Sequence, residues 1–167
     1  MNLKSIPNYE GLYSLDLNTN EVYGHTTKKF KKQNLTKYGY YRMQLYKNNK
    51  YKHYLVHRLI YEVYNGVIPE KIQVDHINGI RTDNRIENLR LVTNSQNQMN
   101  SKCKSNNKLG YKNITYREKR KDYYVEIKKN KKFVYRKAFK TLEEAIINRN
   151  IQLKLIHEEF ANFDYST

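Results

Sequence analysis

Between Val56 and Asn65 the apolar positions Leu59, Ile60 and Val63 recur at the spacing of one helix face, and Gly66 follows as a stop. Upstream the period changes to two. Residues 6–15 alternate apolar and polar after a proline start, 16–20 are a turn cluster, and 21–24 begin a return strand. Residues 40–46 and 50–56 form a hairpin around Lys47-Asn48-Asn49, since asparagine tolerates the left-handed turn conformation. Residues 74–77 are a short strand, Asn78-Gly79 a turn, and Leu89–Val92 a second strand. Thr93 or Asn94 then offers an N-cap for a helix over 95–101. Past a polar stretch, residues 110–116, Asp122–Lys129 and Lys132–Phe139 pattern as three strands. Thr141 and Glu144 make a T-x-x-E capping box that opens a helix to about residue 159, apolar at Leu142, Ala145, Ile146, Leu153, Ile156 and Phe160.

The class is therefore α+β, in modules: a β-rich segment over 1–54, a small core over 55–103, a linker over 104–108, and a sheet-plus-helix domain over 109–167. The linker is Asn/Ser-rich and basic. At 38% hydrophobic residues each module has a thin core.

Charge narrows the partner. Lys+Arg 32 against Asp+Glu 16 gives +16, spread through the chain rather than along one amphipathic helix, which suits a nucleic acid before a membrane. Seventeen tyrosines and no tryptophan interleave with the basic residues, as on surfaces that meet backbone and bases together. Lys28, Lys29, Lys31, Lys32 and Lys37 form a basic loop that is either a phosphate contact or merely solvated. The single cysteine, Cys103, excludes an internal disulfide and a four-cysteine zinc knuckle, so no zinc is expected, and a reducing, cytoplasmic setting is. No signal-peptide core or membrane-length apolar run stands out. Heavy use of Lys, Asn, Ile and Tyr points to an A+T-rich genome such as that of a low-GC phage.

The chemistry concentrates in residues 74–97. Asp75 and His76 are adjacent, Asn88 comes twelve residues after the histidine, and Asn97 nine after that. A carboxylate and an amide oxygen are hard ligands suited to Mg²⁺. A neutral histidine accepts a proton from water at neutral pH, and an asparagine amide beside an imidazole fixes its orientation. Together these are the parts of metal-assisted phosphodiester hydrolysis.

This text, DHINGIRTDNRIENLRLVTNSQN, resembles the HNH endonucleases, and within them the phage and intron-encoded homing type. The resemblance implies a ββα-metal core in which Asp75 and Asn97 hold one Mg²⁺ or Mn²⁺ ion, His76 is the general base and Asn88 orients it. The tryptophan common in the second strand is replaced by Leu91 or Arg90. Arg58, at the start of the preceding helix, is a candidate clamp for the scissile phosphate, and Arg81 and Arg85 are candidate DNA contacts. His57 reads as a structural or backbone-contacting histidine rather than a metal ligand, with a place facing the active site as the alternative; His25, His53 and His157 have no partnering spacing.

Residues 109–164 are similar to the plant ethylene-response-factor (Apetala-type) DNA-binding domain, through Gly110-Tyr111, YYVEIK, the FKTLEEA helix entry and Asn162-Phe163. That likeness implies a three-stranded sheet laid in the major groove and backed by the helix. Alternation then turns Val125 and Ile127 toward the helix and Tyr124, Glu126 and Lys128 toward DNA. Lys112 and Arg117 of the first strand and Tyr135 and Lys137 of the third join them, with Phe133 a weaker candidate. The expected partner is double-stranded DNA, cut by a monomer that nicks, with a dimer or second event needed for a double-strand break. Two competing readings are a non-catalytic DNA-binding protein and an RNA-binding factor, the latter disfavoured because the A-form major groove is too narrow for a sheet.

Overall fold

Asn48 and Asn49 both take positive φ, 51° and 58°, which closes a tight hairpin between β6 (Tyr41–Lys47) and β7 (Lys50–Leu55). The computed structural model in which this is seen describes residues 1–101, 103 and 107–161. The chain divides into two compact units, Met1–Val92 and Thr93–Thr167.

In the first unit β1 (Leu3–Ser5), β2 (Tyr13–Asp16), β3 (Glu21–Gly24) and β4 (Lys29–Phe30) form an antiparallel sheet in sequence order. A second sheet joins β5 (Asn34–Leu35) to the β6–β7 hairpin. Helix α1 (Val56–Asn65) follows β7 directly, burying Val56, His57, Leu59, Ile60 and Val63, and ends at Gly66, whose φ of 88° a side chain would resist. Ile6, Leu15, Val22, Met43, Leu45, Leu59 and Ile60, each at most 1% exposed, form the centre of one core. At about 25 cal/mol per Å² of apolar surface removed from water, each such side chain contributes roughly 1.5–3 kcal/mol. Val74 and Leu89 carry β8 (Gln73–His76) and β9 (Leu89–Val92) onto that core. The two strands pair antiparallel, with Asp75 opposite Arg90 and His76 opposite Leu89.

In the second unit α2 (Asn94–Asn100) is opened by a capping box between Thr93 and Gln96. Strands β10 (Ile114–Arg117), β11 (Asp122–Lys129) and β12 (Lys132–Phe139) form an antiparallel sheet, and α3 (Leu142–His157) starts from the Thr141–Glu144 capping box. Ile114, Val125, Ile127, Ala145 and Leu153 make its core. The first strand starts at Ile114 rather than at residue 110, because Gly110 (φ 73°) and Asn113 (φ 69°) turn the chain just before it.

The expected core over 55–103 spans the division at Val92/Thr93. Of the expected linker, residues 104–106 lie outside the described residues, as do Asn162 and Phe163. No helix among the described residues is long and apolar enough to cross a membrane.

Candidate functional site

Asp75 and His76 close β8, and the loop from residue 77 to 88 returns the chain to β9. Internal hydrogen bonds knot that loop. Asn88 accepts from the Asn78 backbone N–H through Oδ1 at 3.0 Å. Its Nδ2 donates to Asn78 Oδ1 at 3.0 Å and to the Asp83 carbonyl at 2.8 Å. Gly79, at φ 69°, makes the turn, its N–H donating to the His76 carbonyl at 2.9 Å. Arg85 grips both carboxylate oxygens of Asp83, at 2.9 and 2.8 Å, which holds that carboxyl far below the usual carboxylate range and raises the guanidinium.

Asn84 is one of the groups on the His76 imidazole: its Oδ1 lies 3.0 Å from Nε2. This departs from the expectation that Asn88 orients His76 directly. The Asn88 amide is committed to Asn78 and Asp83, in the same loop as Asn84.

Asp75, His76 and Asn88 are all buried, at 9%, 3% and 7% exposure. Two aromatic rings stand against His76. The His57 ring stands edge-on with centroids 5.0 Å apart, the Tyr40 ring is at 6.0 Å, and the Arg81 guanidinium lies 5.1 Å over Tyr40. Burial, reinforced by the nearby His76 and Arg58, pulls His57 down to about 3, so its ring is neutral at physiological pH and adds no charge beside His76. His57 is thus a packing wall, as its place in the sequence suggested. Across the β8–β9 ladder Arg90 donates Nε and a terminal guanidinium nitrogen to Oδ2 of Asp75, each at 3.3 Å.

The donors proposed for a metal, an aspartate and an asparagine, are all oxygen, which fits a hard cation such as Mg²⁺ that keeps several waters. Among the described residues no three His, Cys, Asp or Glu side chains gather as a metal cluster. Asn97 lies on α2, in the second unit, and is described with that unit. Arg58 is half-buried on α1, and its side chain makes no hydrogen bond or ion pair among the described residues. Arg81 is tied to the Tyr38 carbonyl at 2.8 Å and Arg85 to Asp83, so neither guanidinium is uncommitted.

In the second unit the register settles which side chains share a face, since direct cross-strand partners point the same way. Tyr124, Glu126 and Lys128 face away from the α3 core, as expected from alternation. Tyr135 is opposite Ile127 and Lys137 opposite Val125, which puts both on the helix side, contrary to expectation. The reason is a bulge between Ile127 and Lys128 that breaks the two-residue parity of β12. The outward positions of β12 are Phe133, opposite Lys128, Arg136, opposite Glu126, and Ala138, opposite Tyr124. Lys128 and Arg136 both sit over the exposed Phe133 ring, at 4.3 and 4.7 Å. Arg136 carries no motif and was missed in the sequence.

Two further expected contacts are already engaged. Arg117 forms a bidentate pair with Asp122 at 2.7 and 2.6 Å, raising its pKa and depressing that of Asp122, and lies 4.1 Å over the Tyr124 ring. Lys112 Nζ donates to the carbonyls of Gln98 (2.6 Å), Met99 (3.0 Å) and Ser101 (2.8 Å) and to Ser101 Oγ (3.0 Å). A cation at the negative end of α2 is a helix cap. Lys112 thus holds the helix that carries Asn97.

Comparison with known proteins converges on one family. Residues 54–99 match the model of the HNH endonucleases. The chain is 40% identical over 102 residues to the DNA endonuclease I-HmuI of Bacillus phage SP01, covering 59% of this chain and 58% of that protein. It is 36% identical over 107 residues to the uncharacterized HNH endonuclease L560 of Acanthamoeba polyphaga mimivirus, covering 64% of this chain and 54% of that one. The matched region thus spans little more than half of these curated relatives. A solved structure of DNA binding and cleavage by the HNH homing endonuclease I-HmuI aligns over 95% of this chain and 92% of its own, with a TM-score of 0.55 and 27% identity. The segment that holds Asp75, His76 and Asn88 thus matches the HNH endonuclease model, and the chain is similar to the phage homing enzyme I-HmuI.

Proposed function

We propose that this protein is a metal-dependent endonuclease that hydrolyses phosphodiester bonds in double-stranded DNA, of the phage homing type and working in the host cytoplasm. The observation that carries the reading is His76, next to Asp75 and held at Nε2 by an amide oxygen, inside the segment that matches the HNH family. An amide oxygen only accepts, so Nε2 carries the ring proton and Nδ1 is the basic nitrogen.

Nδ1 of His76 takes a proton from water as the water oxygen bonds to phosphorus. The phosphorus–O3′ bond breaks, and the leaving oxygen is protonated from solvent. Asp75, and Asn97 on its place in the motif alone, would hold a Mg²⁺ or Mn²⁺ ion. When bound, such an ion stabilises the charge that develops on the phosphate and leaving oxygen. Arg90, against Oδ2 of Asp75, fixes the carboxylate; Arg58 is the candidate for the scissile phosphate. Neutral His57 leaves room for the charge that His76 gains in the reaction. One such site cuts one strand, so a monomer nicks.

The outward face of β10–β12, with Tyr124, Glu126, Lys128, Phe133 and Arg136, is the proposed DNA-reading surface, in the manner of the Apetala-type domains. The net charge of +16 supports a polyanion as partner. The test is supercoiled plasmid incubated with protein and Mg²⁺, with and without EDTA. Relaxed product only with free metal supports the reading; binding without cleavage in both leaves a non-catalytic DNA-binding protein.

A further inference from the structure

We propose that Asn84 is the positioning residue of the catalytic histidine: its side-chain oxygen fixes His76 in the Nε2–H tautomer and so selects Nδ1 as the nitrogen that receives a proton. The inference rests on the nuclease reading of His76 and adds to it a residue outside the Asp-His-Asn-Asn spacing.

Three observations support it. The contact is short, 3.0 Å between Asn84 Oδ1 and Nε2, and it is made by a half-buried side chain to a ring only 3% exposed, where water offers a poor substitute. The ring face is closed by His57 and Tyr40, which fill space without setting a tautomer. Asn84 itself is placed by its neighbours on both sides: Asp83 is pinned through its carbonyl by Asn88 and through its carboxylate by Asn78 and Arg85. The loop therefore delivers one amide oxygen to one ring nitrogen. Asn88 acts two steps back, on the carbonyl of the residue before Asn84.

Removing the acceptor at Nε2 weakens the preference for a proton there, and only the molecules with a basic Nδ1 are competent. Loss of the contact should therefore lower kcat and leave DNA affinity alone.

The test uses ¹⁵N-histidine spectra of the full chain, free of metal and DNA, at a pH where His76 is neutral. Such spectra distinguish the two tautomers by their nitrogen shifts and two-bond couplings. Wild type should show His76 as Nε2–H, Asn84→Ala a mixture of tautomers, and Asn84→Asp, which keeps the acceptor, Nε2–H again. In plasmid nicking, Asn84→Ala should lose roughly ten- to a hundredfold in kcat with an unchanged Kd for DNA, and Asn84→Asp should recover most of it. Nδ1–H in wild type, or an unaltered Nε2–H in Asn84→Ala, overturns the proposal. The correct tautomer pattern in a protein that never cuts DNA would sink the nuclease reading while leaving the positioning role standing.

Discussion

Arg90 reaches across the β8–β9 hairpin to Oδ2 of Asp75, its direct partner in the ladder, with two nitrogens at 3.3 Å. A carboxylate proposed as a metal ligand is thus held by a cation before any metal arrives. With side chains only 15% and 10% exposed, the pair is shielded from salt. Arg90→Met should lower stability in EDTA by about 1–3 kcal/mol, and should enlarge the stabilisation gained on adding Mg²⁺, because a competing cation is gone. Urea titrations with and without Mg²⁺ measure both. A smaller Mg²⁺ effect in the variant would mean that Arg90 helps the ion more by posing Asp75 than it hinders by charge.

His57 makes stability depend on pH. Its folded value, about 3, lies below the ordinary histidine value of 6.5, chiefly through burial. The unfolded chain therefore binds the extra proton first as pH falls. Stability attributable to His57 is fully present above about pH 6.5 and is lost toward pH 3, at up to ~1.4 kcal/mol per pH unit. Buried His157 is lowered in the same direction. Denaturation at pH 7 and pH 5 should show wild type losing more than His57→Phe. Equal losses would remove His57 from the account.

Lys112 and Lys128 separate structure from DNA contact. Lys112→Met takes the ammonium from the end of α2 and should cost about 1–2 kcal/mol with little change in the salt dependence of DNA binding. Lys128→Met, on the outward face, should be nearly neutral for stability and should reduce the slope of log K against log salt by about one. A reduced slope for Lys112→Met would return that residue to the DNA surface.

The face of β12 gives a second contrast. Arg136→Ala should weaken binding to duplex DNA more than Lys137→Ala, since Arg136 lies opposite Glu126 and Lys137 opposite the buried Val125. Electrophoretic mobility shifts at fixed salt measure it, and the reverse order would place the DNA on the helix side.

These contrasts also mark how far the sequence could be read. Helix α1 and strands β9, β11 and β12 lie where the residue pattern placed them; α1, β9 and β11 each bury residues that hold their spacing, whereas β12 buries none. Both T-x-x-E and T-x-x-Q caps are formed, the second within the expected Thr93 helix start. Asp75, His76 and Asn88 drew attention through residue type and spacing. Asn84 did not, because its role depends on how the 77–88 loop closes, and one asparagine among many carries no period. Tyr135 and Lys137 were turned to the wrong side because a bulge shifts parity without leaving a mark in composition. Lys112 looked like any surface lysine until four oxygens of the α2 terminus appeared around it.

The most direct measurement for the nuclease account is single-turnover cleavage by His76→Ala, alongside its DNA affinity and with Mg²⁺ in excess. Loss of the general base should slow cleavage on the order of 10²- to 10⁴-fold while Kd stays that of wild type. Cleavage at the wild-type rate would contradict the assignment of His76 as the base.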